Sequence, residues 1–131
     1  MTIAITTALN NARLMGTLAF LDAGTGNAAV QIYGGARPAT PTDAPADPLL
    51  SEITLNKPAG SVSAGTLLLA SSAAGLILST GVATWARVVS GNGDVAFDCD
   101  AGQGAGAWEV QLAQANLLAG GEAKLVSAIL G

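Results

Sequence analysis

Residues 83–100 constrain the fold more tightly than any other stretch. Ala83-Thr84-Trp85-Ala86-Arg87-Val88-Val89 leads through Ser90-Gly91-Asn92-Gly93 into Asp94-Val95-Ala96-Phe97-Asp98-Cys99-Asp100. Asn and Gly tolerate the positive φ of a tight connection, and the flanking runs alternate in polarity, so this is a β-hairpin. If Val89 opposes Asp94, then Ala86, Val88, Val95, Phe97 and Cys99 share one face of the pair. Trp85, Arg87, Asp98 and Asp100 share the other, because successive side chains point to opposite sides of a strand. One face is core-like and the other polar.

The rest of the chain repeats this pattern. Strands are expected over residues 28–33, 50–55, 66–70, 76–79, 108–112 and 123–130. In the second of these, Ile53 and Leu55 face inward while Glu52 and Thr54 face out. The strands at 66–70 and 76–79 carry Leu67-Leu68-Leu69 and Leu76-Ile77-Leu78, continuous apolar runs that imply cover on both faces. A glycine-rich link, 101–105, follows the hairpin. A turn at Leu118-Ala119-Gly120-Gly121-Glu122 precedes the last strand. About seven or eight short strands with turn signals between them indicate a mainly β domain, an antiparallel β-sandwich or jelly-roll-like fold.

Ahead of the strands, residues 6–21 read as one α-helix. Ala8, Leu9, Ala12, Met15, Ala19 and, slightly off the stripe, Leu18 fall at the three-and-four spacing of a single apolar face. Thr6 or Thr7 supplies the N-cap hydroxyl, and Asp22-Ala23-Gly24-Thr25-Gly26-Asn27 ends the helix. Residues 37–48 hold four of the five prolines, at 38, 41, 45 and 48. Proline removes a donor and locks φ, so this segment is a loop or an extended surface arm. With 131 residues the whole chain, 1–131, fits one domain.

Composition narrows the function. There is no histidine, the commonest side chain for acid–base work and metal ligation. The single cysteine, Cys99, excludes an internal disulfide and any Cys-pair metal site. The five basic residues, Arg13, Arg37, Lys57, Arg87 and Lys124, are scattered and the net charge is −4, which argues against nucleic acid as a partner. No charge occurs between Lys57 and Arg87, yet Ser71, Ser72, Gly75, Ser79, Thr80 and Gly81 interrupt the run, so no membrane span is expected. The amino end lacks the basic and apolar regions of a secretory leader. Charged residues make up 11% of the chain, which leaves a largely neutral surface suited to contact with other proteins.

Several residues offer chemistry on paper. Asp94, Asp98 and Asp100 could present oxygen ligands to a cation, but they lack the dense spacing of a calcium loop and read as a solvated strand face with Arg87 across from it. Cys99 has no histidine to activate it and alternates with core residues. The glycine pairs lack the Gly-Lys-Ser/Thr context of a phosphate loop. Neither a cofactor nor a metal is therefore expected, and no catalytic group. Trp85 stays open between a core role and an interface anchor beside Arg87, two residue types that dominate binding hot spots.

Three segments taken together carry a resemblance. They are the helix with Ala8-Leu9-Asn10-Asn11-Ala12; the stretch Val30-Gln31-Ile32-Tyr33-Gly34-Gly35-Ala36-Arg37-Pro38-Ala39, running on through Asp43-Ala44-Pro45 to Leu49-Leu50-Ser51-Glu52-Ile53-Thr54-Leu55; and Gly81-Val82-Ala83-Thr84-Trp85-Ala86-Arg87-Val88-Val89 with its hairpin and the late Ala119-Gly120-Gly121 turn. In order and spacing they resemble a family of small structural proteins of tailed bacteriophages and prophages, over nearly the whole chain. Ala86 departs from the large aromatic usual there, and residues 61–80 are more aliphatic than the family pattern.

The resemblance implies a non-enzymatic virion protein with a jelly-roll-like fold. It would be made in the bacterial host cytoplasm and sit on the capsid surface as a cement or decoration protein. Its partners would be the major capsid protein and, through a sheet edge, further copies of itself. Tyr33, Arg37, Pro38, Trp85 and Arg87 are the expected interface residues, with the helix and the Pro-rich arm as contact elements. Two other placements remain: a neck, tail or baseplate protein, and a carbohydrate-binding module using Trp85 or Trp108.

Overall fold

A computed structural model describes residues 3–131. It is mainly β, in the manner of a β-sandwich with one helix. After α1 (Thr7–Leu21) come β1 (Ala29–Tyr33), β2 (Leu49–Thr54), β3 (Gly60–Ser63), β4 (Thr66–Leu69), β5 (Gly75–Leu76) and β6 (Gly81–Val82). The hairpin is β7 (Trp85–Val89) and β8 (Val95–Gln103). It is followed by β9 (Val110–Leu112), β10 (Asn116–Leu117), β11 (Glu122–Ala123) and β12 (Leu125–Leu130).

Eight strands make one sheet in the order β2-β1-β7-β8-β9-β12-β4-β3, and β10–β6 and β11–β5 form two small ladders. The long β8 explains how one sheet becomes two packed halves. As far as Asp100 it pairs antiparallel with β7; its last residues, Ala101, Gly102 and Gln103, pair parallel with β9. A strand that changes partner along its length turns the corner of a curled sheet. The segment 101–105, expected as a link, is thus largely strand, and this parallel pair is a departure from a purely antiparallel sheet.

Inside the curl lie Val30, Ile32, Ile53 and Val88 from one half and Leu67, Leu69, Val110, Leu112 and Ala128 from the other. Each fully buried Val, Leu or Ile contributes about 1.5–3 kcal/mol, so this cluster is the main source of stability. The inward direction of Ile53 and Leu55, with Glu52 and Thr54 outside, is as expected. The continuous runs near 66–70 and 76–79 are not covered on both sides: Leu67, Leu69 and Ile77 are buried, while Leu68, Leu76 and Leu78 are exposed. Alternation was present there all along, hidden because both faces carry leucine.

The hairpin register differs from the expected one by two residues. Val88 opposes Phe97, Arg87 opposes Asp98, Ala86 opposes Cys99, and a bulge between Val88 and Val89 sets Val89 against Val95. A shift of two preserves the side of every residue, so the division into two faces survives. The buried Ser90 hydroxyl accepts from the backbone N–H groups of Asn92 and Asp94 and thereby shapes the turn.

The helix boundaries match expectation, with the Thr6 hydroxyl accepting from the Leu9 N–H. Its orientation does not. Leu14 and Leu21 are buried and Leu18 packs against the core, whereas Leu9 and Met15 are about half exposed. Both sides of α1 are apolar, so periodicity alone pointed to the wrong one. What turns the helix is polar: the Asn10 amide donates to the Gly65 carbonyl at 2.9 Å, and the Gly65 N–H donates to Asn11 Oδ1 at 2.8 Å. This clamp holds the β3–β4 turn, where Ala64 and Gly65 both have positive φ. Strand β3 was not expected from sequence, because Ala-Gly is a weaker hairpin signal than Asn-Gly. At the other end, Gly91 N–H donates to the Leu21 carbonyl and Lys57 Nζ donates to the carbonyls of Gly24 and Gly26.

Candidate functional site

The five expected interface residues divide in two. Tyr33, Trp85 and Arg87 come together on the side of the β1–β7–β8 sheet that faces away from the main core. The Tyr33 and Trp85 rings stack at 4.5 Å with 13° between their planes. The Arg87 guanidinium lies 5.5 Å from the centre of the Trp85 ring and grips Asp98 through Nε to Oδ1 at 2.7 Å and Nη2 to Oδ2 at 3.0 Å. Trp85 Nε1 donates to the Gly34 carbonyl at 3.1 Å. Trp85 is 1% exposed, and Tyr33 and Arg87 are buried as well. The choice left open for Trp85 resolves to burial within its own chain.

The loop between β1 and β2 folds back over this cluster. Thr84 donates its hydroxyl to the Gly35 carbonyl, and Arg37 makes an exposed ion pair with Asp100 at 3.4 Å. Asp43 lies near enough for its charge to act on Arg87. The start of this loop, from Gly34 to Arg37, is thus engaged with its own sheet, while most of residues 38–48 are exposed. Arg37 is exposed and Pro38 half-buried, so these two retain surface.

The electrostatics follow from this cover. Burial raises the Tyr33 hydroxyl above its ordinary value, opposed by the nearby positive Arg87. The hydrogen bond to Asp98 raises Arg87 further still, against the effect of its burial. A buried ion pair is held by geometry as much as by charge, and the side-on grip satisfies both carboxylate oxygens.

The carboxylates that might have held a cation are committed elsewhere: Asp98 to Arg87, Asp100 to Arg37. The hairpin face expected to be solvated is therefore partly enclosed. Among the described residues no group of three His, Cys, Asp or Glu side chains could hold a metal ion. Cys99 is buried, and its thiol is pushed up to about 12, mainly by loss of solvation and then by Glu109 and Asp100. It is a core residue and resists ionisation.

Trp108 is half-buried. Its Nε1 donates to the Gly104 carbonyl at 2.9 Å, and its ring lies so close to the backbone at Gly102 and Gly106 that a Cβ at either would come within 2.5 Å of a ring atom. The indole is seated on its own loop. Of the two tryptophans considered for a saccharide, Trp85 is shut in, while Trp108 keeps part of its ring in solvent beside a hollow of about 530 Å³.

Open apolar surface lies elsewhere, partly on the helix that was expected as a contact element and partly where sequence reasoning named none. One region is the outer side of α1, where Leu9, Met15 and Phe20 are 50%, 53% and 44% exposed, with Ile3 and Ile5 just before it. Beside the helix a hollow of about 570 Å³ is lined by Gly16, Phe20, Val95, Phe97 and Leu130. A second region is the ribbon of small ladders, where Leu76, Leu78, Val82 and Leu118 all stand out into solvent, and a third lies on β4 and β12, where the paired Leu68 and Ile129 are exposed together with Val126. The uncharged stretch between Lys57 and Arg87 was the available signal for the ribbon. Comparison with known families, curated proteins and solved structures finds no match in any of the three.

Proposed function

We propose that this chain is a structural protein of a tailed bacteriophage particle, a capsid cement or decoration subunit that binds the major capsid protein. The observation that carries the reading is the contrast between engaged polar groups and open apolar surface. Asp98 and Asp100, which flank the one cysteine, are paired, while apolar side chains stand uncovered on α1, on the ribbon and on β4 and β12. Apolar areas of this kind mark surfaces that other proteins cover. The order and spacing of the Ile32-Tyr33, Ala83-x-Trp85-x-Arg87 and Ala119-Gly120-Gly121 motifs support the same assignment by resemblance.

The mechanism needs no bond-making step. A small rigid domain lies across a junction between shell subunits, and each contact adds a modest energy. Repetition over the lattice makes the shell harder to pull apart than any single contact suggests. Copy number tests the reading. Densitometry of washed particles should give on the order of hundreds of copies for a cement protein, against about a dozen for a neck, tail or baseplate ring. Absence of the protein from washed particles would end both assignments.

A further inference from the structure

We infer that the outer side of α1 is the docking element, and that it seats in an uncharged, concave apolar groove on the shell subunit. This rests on the proposed role as a capsid-binding protein and names the surface that performs it. Going round the helix away from Leu14, the side chains are Met15, Ala8, Ala19, Ala12, Gly16, Leu9 and Phe20. They span about 140° of arc at 3.6 residues per turn, and none is charged. Arg13, Thr17 and Asn10 separate this arc from the buried side on one flank and Asn11 does so on the other, so α1 carries two apolar sides where a surface helix normally has one. Here the inner side meets the chain's own core and the outer side has no cover.

Shape and area select the occupant. A helix–helix seam between two copies uses a stripe narrower than about 100°, which would leave Met15 or Phe20 outside it. A flat strip along 15 residues is about 22 Å long and roughly 10 Å wide, so it offers only ~220 Å² per copy. A stable interface takes about 800 Å² from each partner. A groove that wraps the helix and also fills the neighbouring hollow comes closer to that area and matches the width of the arc. Gly16 fits the same picture. It sits mid-helix, where glycine is unfavourable, and a Cβ there would touch nothing within 4 Å, so packing within the chain does not require it. A bare backbone at the rim of the hollow lets a partner approach closely.

The test uses particles produced without this protein, to which the purified chain is added back. Leu9→Asp and Phe20→Asp should each weaken binding about tenfold or more, as expected when a charge enters a desolvated contact. Leu118→Asp, on the ribbon, should bind within about twofold of wild type. Gly16→Leu makes the surface more apolar, yet it should weaken binding by blocking the seat, which separates a shaped site from general stickiness. Wild-type binding should barely change with salt. Urea unfolding of each variant checks that the fold is intact. Helix variants that bind like wild type would overturn the inference and leave the capsid role standing. So would a dimer in sedimentation that the same variants dissolve, since that places a second copy on the helix. Failure of wild-type protein to bind would overturn the capsid role and the named partner with it.

Discussion

The two faces that flank this fold use opposite kinds of residue for opposite ends. Beneath the loop between β1 and β2 lie Tyr33, Trp85, Arg87 and Asp98, among them residue types often found at binding hot spots, and the Trp85 indole N–H and both Asp98 carboxylate oxygens have partners inside the chain. On the outer side of α1 lie Leu9, Ala12, Met15, Gly16 and Phe20, with modest binding power per residue and nothing over them. Residue type therefore misleads as a guide to contact surface. Burying the stacked Tyr33 and Trp85 rings is favourable, and the Asp98 carboxylate lets Arg87 be enclosed with them, whereas aliphatic positions on a helix can stay open until a partner arrives.

The largest effects should come from the enclosed face. Asp98→Ala leaves the Arg87 guanidinium buried without its carboxylate and should lower stability by about 3–5 kcal/mol. Urea unfolding followed by Trp fluorescence measures this. The Cys99 thiol gives a second readout, because it reacts with thiol reagents only once the fold opens. Its raised folded value carries a pH signature of its own. Stability from keeping the thiol neutral is fully present below the unfolded thiol's ordinary range and is lost as pH climbs from there toward about 12. An Asp98→Ala variant as stable as wild type would mean that the loop does not seal the pair.

The contrast within one helix turn is next in size. Leu14→Ala removes a core side chain and should cost about 2–4 kcal/mol. Met15→Ala, one position along and half exposed, should fall within about 0.5 kcal/mol of wild type. Equal effects would show that the two sides of α1 have been assigned the wrong way round.

That assignment was the least legible part of the sequence. The mainly β fold, the helix limits, the hairpin and the division of its two faces could all be read from alternation and turn chemistry, which are local. The side that α1 buries could not, because Leu14-Leu18-Leu21 and Leu9-Ala12-Met15 are equally good apolar stripes. The deciding contacts, Asn10 and Asn11 on Gly65, join residues more than fifty positions apart. The change of partner along β8 was hidden for a similar reason. Glycines at 102 and 104 look like a linker until Trp108 is known to lie against the first of them. The cluster's membership was half legible: Trp85, Arg87 and Asp98 shared a face in the hairpin, but only the fold of residues 34–48 shows that the face is closed.

Gly16 and Arg37 mark the small end of the comparison, one from each face. Gly16→Ala adds a methyl group that meets nothing and reduces the freedom of the unfolded chain, so it should stabilise the isolated protein by about 0.5–1 kcal/mol. A stability gain there means that glycine stands at this position for some reason other than the fold of the single chain.

Arg37→Ala removes the exposed ion pair with Asp100, in which both side chains are about half in solvent. Such pairs contribute about 0–1 kcal/mol and are screened by salt, so equilibrium stability should hardly move. If the loop is fastened chiefly by the hydrogen bonds that the Gly34 and Gly35 carbonyls accept, acrylamide should quench Trp85 no faster in the variant than in wild type. Faster quenching at unchanged global stability would instead identify Arg37 as the latch of a loop that opens locally. The enclosed face would then be a second surface available to a partner, and the distinction between the two faces would become one of degree.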